Sequence, residues 1–271
     1  MADDSPLGRA TGYSDKYAPE LLHAIPRSES RDAIGMGTEL PFSGVDTWNA
    51  WELTWLDAGQ RPQAATAEIR VPVDSPNLVE SKSLKLYLNS FSMTKLASVR
   101  KIEGIIERDM AATVGAPVEV TVTRVLDTEG AMPSRLPGAC IDGLDVECDT
   151  WDVEPALLSS NPEWVVREDL YSHLLRSLCP VTGQPDSGSV LISYRGPRID
   201  RVGLLKYIVS FRKHDDFHEA CVERMFRDIS ERCGIRQLTV CAQYQRRGGI
   251  DINPFRSNFE EPPRSLRLWR Q

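Results

Sequence analysis

LKLYLNSF, residues Leu84–Phe91, returns 120 positions later as LLKYIVSF, residues Leu204–Phe211, with leucine, tyrosine, serine and phenylalanine in register as L-x-x-Y-x-x-S-F. In the first copy Leu84, Leu88 and Phe91 fall at helical spacing, and Ser81 or Ser83 stands where a helix start is capped. Downstream, Ile102, Ile105, Ile106 and Met110 mark a second helix that ends at Gly115, and VEVTVTRV then alternates as a strand. The second copy is followed in the same way by Phe217, Cys221, Phe226 and Ile229, a stop near Gly234, and the strand QLTVCAQY. Upstream of the first copy, WNAWELTWL (Trp51, Leu53 and Trp55 on one face) and AATAEIRVPV read as a hairpin. Upstream of the second, YSHLLRSL and SVLISYRG, with Val190, Ile192 and Tyr194 alternating, take the same places. Strand, strand, helix, helix, strand therefore occurs twice, a duplication at domain scale. It predicts an α+β fold of two tandem modules, each an antiparallel sheet with two helices packed on one face.

The boundaries follow from composition. Residues 1–45, rich in Ser, Pro, Gly and charge, read as an N-terminal arm over the surface and carry no recognisable chemistry. The first module takes 46–125, and a Pro/Gly/Asp-rich connection takes 126–165, with a possible short strand near Trp151. The second module takes 166–271. A chain of 271 residues buries a sizeable core in either one large or two ordinary domains. The net charge of -7 opposes nonspecific attraction to nucleic acid or to an anionic membrane. No apolar stretch approaches a membrane span, and MADDSPLGRA lacks a basic head followed by an apolar run, so a cytoplasmic protein is expected. The six cysteines, at 140, 148, 179, 221, 233 and 241, lack the paired spacing of a zinc site or a disulfide scaffold and read as free thiols. Cys221, Cys233 and Cys241 fall on core-like faces; no role is assigned to Cys140 or Cys148.

Four stretches hold polar groups that a fold alone does not need. CPVTGQPD, Cys179–Asp186, places a thiol and a carboxyl at the two ends of a turn stiffened by Pro180 and Pro185. Cys179 is either a buried packing residue or a nucleophile, with Asp186 a turn residue or its proton donor. Glu80–Lys82, ESK, is either a helix cap with a solvated lysine or a carboxylate for the N–H donors of a heterocycle beside a phosphate-favouring helix start. FRKHDDFHE, residues 211–219, is an acid-rich helix start or, less simply, a source of metal ligands. RRGG, Arg246–Gly249, is a basic hairpin turn or a place where backbone and guanidinium meet a phosphate together. No G-x-G-x-x-G follows a strand, so a Rossmann site is not supported. The second module has Asp200 where the first has Glu80, and the first lacks a counterpart of CPVTGQPD. Each half thus holds part of a site, and a composite pocket between halves or subunits is expected.

CPVTGQPD, ESKSLKLYLNSF, FRKHDDFHE and RRGGIDINP, in that combination, resemble the NADPH-dependent 7-cyano-7-deazaguanine reductases, the nitrile reductases of queuosine biosynthesis, in their long two-module form. The similarity runs from about residue 45 onward. It implies tandem tunnelling-fold modules, a homodimer, and reduction of the nitrile to an aminomethyl group with NADPH as co-substrate and no metal. It implies Cys179 as the nucleophile that forms a thioimide and Asp186 as proton donor. Val79, Glu80, Ser81, His218 and Glu219 would bind the deazapurine, and Ser81, Lys82, Arg247 and Gly248 the NADPH. The catalytic peptide departs from many relatives in continuing as Ser187-Gly188 where they carry an aromatic residue. Two other readings stay in view: a zinc-dependent, cyclohydrolase-like enzyme acting on a purine or pterin, and a non-catalytic purine-binding protein.

Overall fold

A computed structural model describes residues 12–127, 133–263 and 266–271, so residues 1–11 of the expected arm and 128–132 of the expected connection lie outside the described residues. The chain forms two compact units. Of the described residues, the first takes 12–33, 46–127 and 246–251, and the second takes 34–45, 133–245 and the remainder from 252 on. The architecture is α+β, with five α-helices among the described residues and strands that pair almost wholly antiparallel.

In chain order the first part gives β1 (Ala24–Pro26), α1 (Arg27–Ala33), β2 (Ser43–Leu56), β3 (Pro62–Pro72), β4 (Asn77–Val79), α2 (Ser81–Asn89), α3 (Val99–Val114) and β5 (Glu119–Arg124). Within unit 1 the sheet order is β5-β3-β2, with Ala65 opposite Arg124 and Arg70 opposite Glu119. Alternation decides which side chains enter the core. Leu53 and Trp55 on β2 and Ile69 and Val71 on β3 are buried with Leu84, Tyr87, Phe91, Ile102, Ile106 and Met110 from the helices.

The second part gives β6 (Ala139–Cys140), β7 (Ser160–Leu178), β8 (Pro185–Ile199), α4 (Arg201–Ser210), α5 (His218–Cys233), β9 (Gln237–Tyr244) and β10 (Ile250–Ser257). In unit 2 the order is β10-β9-β8-β7-β6; all pairs are antiparallel except the two-residue β6, which runs parallel to β7. Val190, Ile192 and Tyr194 alternate into the core with Leu238, Val240, Leu204, Tyr207, Phe211 and Phe226.

The repeated motif has a physical meaning, because its tyrosine, serine and phenylalanine do the same work in both units. Tyr87 donates to Asp109 Oδ2 at 2.8 Å and Tyr207 to Asp228 Oδ2 at 2.7 Å, tying the first helix of each pair to the second. Ser90 and Ser210 each return a hydroxyl to the tyrosine carbonyl at 2.6 Å, closing the helix end. Phe91 and Phe211 meet the same tyrosine rings edge-on, at 5.2 and 5.4 Å. Asp109 and Asp228 each follow an arginine, and each second helix stops at a glycine with positive φ, Gly115 (77°) and Gly234 (65°).

Three features depart from the sequence pattern. Strand β7 begins at Ser160, well before the apolar run YSHLLRSL, and no strand forms at Trp151. Strand β10 was not legible: every residue of IDINPFRS is buried, charged and amide side chains included, so no alternation marks it. The described part of the arm is also more than a surface wrap. Strand β1 pairs with β4, Ala24 opposite Val79, and Tyr17 donates to Asp109 Oδ2 at 2.7 Å beside the Tyr87 and Phe91 rings. Among the described residues no helix is long and apolar enough to cross a membrane.

Candidate functional site

CPVTGQPD is the turn that joins β7 to β8. Leu178 stands opposite Pro185 in the ladder, Cys179 N donates to Gln184 O at 2.8 Å, and Gly183 N donates to Cys179 O at 2.9 Å. Gly183 has φ +65, the left-handed region where a side chain is strained, which is why glycine closes this turn. The tight turn brings the two ends of the octapeptide onto adjacent strands. Cys179 is 5% and Asp186 8% exposed. The strand end is gripped from its other side: Leu178 N donates to His214 O at 2.8 Å, and Asp216 N donates to Leu178 O at 3.2 Å. The loop that leads into α5 is thereby fastened beside the thiol.

Helix α5 starts at His218, and its imidazole Nε2 lies 3.3 Å from Asp186 Oδ2, with side chains 14% and 8% exposed. The imidazole ring stacks on Tyr244 at the end of β9, centroids 3.9 Å apart and planes 26° apart. Glu219, buried in the first turn of the same helix, places a carboxylate at the positive end of the helix dipole. Thiol, acid, imidazole and carboxylate of unit 2 are therefore supplied by one turn and one helix start. Tyr244 and its buried neighbours Ser177 and Cys221 complete this region; nothing in the sequence singled out Tyr244 or Ser177. Burial pushes the Cys221 thiol well above its ordinary range and the Cys233 and Cys241 thiols up to about 11, so these three stay protonated as packing residues. Cys140 is exposed and Cys148 partly so.

FRKHDDFHE also contains a pair whose titration is displaced. Burial raises the Asp216 carboxyl from 3.8 to about 6 and lowers the His214 imidazole; the two lie 3.7 Å apart. A carboxyl with a raised folded pKa binds its proton more tightly when folded. Its contribution to stability is therefore full below about pH 4 and is lost as the pH rises to about 6. Asp216→Asn is expected to stabilise the protein by about 1–3 kcal/mol at pH 8 and to change little at pH 4. Urea denaturation at the two pH values checks this; equal effects at both would refute the assignment.

In unit 1, Glu80 is the cap of α2, its carboxylate accepting from Lys82 N and Ser83 N at 2.7 Å each. Asp200 caps α4 in the same manner through Val202 N and Gly203 N. Glu80 is buried, its own N–H donates to His23 O at 2.8 Å, and Val79 before it is held in β4 by β1. The arm thus builds the corner that carries ESK, a role that its composition concealed. RRGG is the connection between β9 and β10, with Arg247 N donating to Ile250 O at 2.9 Å. Gly248 (φ 59°) and Gly249 (φ 81°) are both left-handed, and a Cβ on Gly248 would lie 3.3 Å from Cδ and Cε of Lys85. Trp51 fixes the turn: its N–H donates to Gly249 O at 2.9 Å, its indole Nε1 to Asp251 Oδ2 at 2.6 Å, and Arg246 lies over its ring. The turn thus presents bare backbone beside Lys85. Among the described residues no group of three or more His, Cys, Asp or Glu side chains could hold a metal ion.

The fold and comparisons with known families define an α+β chain of the nitrile-reductase class. Residues 13–122 match the family model described as nitrile reductase, 7-cyano-7-deazaguanine-reductase N-term, and residues 185–263 match the one described as QueF-like protein. The chain is 51% identical over 269 residues to the NADPH-dependent 7-cyano-7-deazaguanine reductase of Bordetella pertussis, covering 99% of this chain and 98% of that one. It is 50% identical over 271 residues to the Burkholderia multivorans protein of that name (99% of each chain) and 53% identical over 258 residues to that of Azoarcus sp. (95% and 92%). The chain belongs to the family of NADPH-dependent 7-cyano-7-deazaguanine reductases, as its four motifs implied.

Proposed function

We propose that the chain is an oxidoreductase that reduces the nitrile of 7-cyano-7-deazaguanine to the aminomethyl group of 7-aminomethyl-7-deazaguanine, with NADPH as donor, in tRNA queuosine biosynthesis. The observation that carries this reading is the near-complete alignment, at about half identity, with proteins of that name. In the proposed chemistry the Cys179 thiolate attacks the nitrile carbon. A C–S bond forms, one π pair of the C≡N bond moves to nitrogen, and Asp186 protonates that nitrogen to give a thioimide. NADPH, when bound, supplies hydride, and two molecules per turnover account for four electrons. A nitrile is a weak electrophile, so a soft nucleophile and an acid within reach are the groups the step requires.

The His218 imidazole beside Asp186 supports a route by which the spent acid is recharged. His218 and Glu219, with Val79, Glu80 and Ser81, are assigned to the deazapurine. Oε1 of Glu80 accepts from Lys82 N and from Ser81 Oγ, and Oε2 accepts from Ser83 N alone, which leaves Oε2 a lone pair for the ring. Ser81, Lys82, Arg247 and Gly248 are assigned to NADPH. We read each unit as a tunnelling-fold module, supported by the matched Tyr–Asp, Ser–carbonyl and Gly contacts, and the assembly as a homodimer.

Intact-protein mass spectrometry after mixing with the nitrile alone tests the reading. A mass increase of one substrate, removed by NADPH, is expected. Absence of adduct together with activity lost to a chelator would replace it with a metal-dependent hydrolase.

A further inference from the structure

Residues 266–271 lie in unit 2, and their last two side chains end on the strands that carry its site. One guanidinium nitrogen of Arg270 donates to His173 O at 2.8 Å, Gly188 O at 2.9 Å and Ser189 Oγ at 3.2 Å. Gln271, buried, donates from Nε2 to Tyr244 O at 3.1 Å and to Asn253 Oδ1 at 2.7 Å, while its Oε1 accepts from Leu268 N at 2.9 Å.

These acceptors sit at structurally sensitive places. Gly188 and Tyr244 are register partners across β8 and β9. Gly188 is two residues beyond Asp186, and the Tyr244 ring is the one stacked on His218. His173 falls in the register shift between Ser172 and Leu175, where β7 loses step with β8, and its Nδ1 lies 2.7 Å from Ser189 Oγ. A bulge of this kind re-aims the strand end that follows it, here the one leading through Ser177 to Cys179. It also releases main-chain acceptors from the ladder, which Arg270 takes up.

We propose that Arg270 and Gln271 are positioning residues for the reaction. Arg270 holds the bulge of β7 against β8, and Gln271 holds the end of β9. Together they keep Asp186 and the His218–Tyr244 stack aimed at Cys179. The inference rests on the roles of Cys179 and Asp186 proposed above. A displacement of about 1 Å at reacting groups costs up to ~10²-fold in rate.

The test compares the wild-type chain with Arg270→Ala, Arg270→Lys and Gln271→Ala. Single-turnover adduct formation is followed by mass spectrometry across pH, nitrile affinity by calorimetry, and the His218 ring resonances by NMR. Arg270→Ala and Gln271→Ala are expected to slow adduct formation roughly ten- to a hundredfold, to change affinity less than about threefold, and to move the His218 ring resonances as the Tyr244 stack shifts. Arg270→Lys, which keeps a cationic donor, is expected to recover most of the rate. Rates within twofold of wild type with unmoved His218 ring resonances overturn the proposal, as does a loss of affinity in step with the rate, which marks a merely structural role. Should Arg270→Ala not fold, the other two variants carry the test. If wild type itself forms no adduct, the nitrile-reductase reading fails, whereas the NMR resonances still decide whether Arg270 and Gln271 position His218.

Discussion

Cys179→Ala is expected to bind the nitrile with near wild-type affinity, to form no covalent adduct, and to lose reduction by on the order of 10³-fold or more. The reasoning is local. The thiol lies in a turn closed by two backbone hydrogen bonds and a left-handed glycine, so its truncation removes the proposed nucleophile without loosening what holds the turn. Asp186→Asn is expected to give a graded counterpart, with adduct formation slowed by about 10²–10⁴-fold, because the amide keeps the shape but has no acidic proton to give. Steady-state NADPH oxidation and the mass of the stalled protein measure both. Residual turnover within tenfold of wild type in Cys179→Ala would exclude covalent catalysis at this sulfur, and adduct formation at full rate in Asp186→Asn would move the acid elsewhere.

The second large effect concerns stability. Arg256 is fully buried, and its Nε and one terminal nitrogen donate to the same Glu223 oxygen at 3.1 and 3.0 Å. The guanidinium also reaches the Phe255 carbonyl at 3.0 Å and lies over the Phe42 ring. Burying two charges is tolerated because each satisfies the other. Arg256→Met removes the guanidinium from a buried carboxylate and is expected to cost about 3–5 kcal/mol. At this chain length that is a fall in Tm on the order of 10 °C. Glu223→Gln in the same background should recover part of the loss by removing the stranded charge, so calorimetry of the two single variants and the double separates charge burial from packing. A double variant no better than Arg256→Met alone would assign the loss to packing.

Much of the fold was legible because local interactions repeat. The L-x-x-Y-x-x-S-F motif works through contacts within one helix pair, and the glycines at 115 and 234 are required by the backbone at a helix end, so both recur wherever the unit recurs. The nucleophile and acid candidates stood out for a similar reason. Two prolines and a glycine fix a turn whatever surrounds it. Three things were hidden. The arm's composition gave no sign that Ala24 would pair with Val79, or that His23 O would receive the Glu80 N–H. Strand β10 shows no alternation because its polar residues are buried against partners far along the chain, Asp251 with Asn49 and Trp51, and Arg256 with Glu223. The part that Tyr244 plays depends on α5 and β9 meeting, which no spacing encodes.

By itself, then, the sequence determined the α+β class, the helix contacts that its repeated motif makes, the turn that carries thiol and acid, and the family, since each rests on residues close together in the chain or on motifs in fixed order. Tertiary structure alone decided which imidazole sits beside Asp186, what stacks on that imidazole, and that the segment ending in Arg270 and Gln271 returns to the same strands. Those pairings are made by backbone groups and rings brought together from distant parts of the chain. A carbonyl or a stacked ring has no signature in the amino-acid string until the strands that present it are in place.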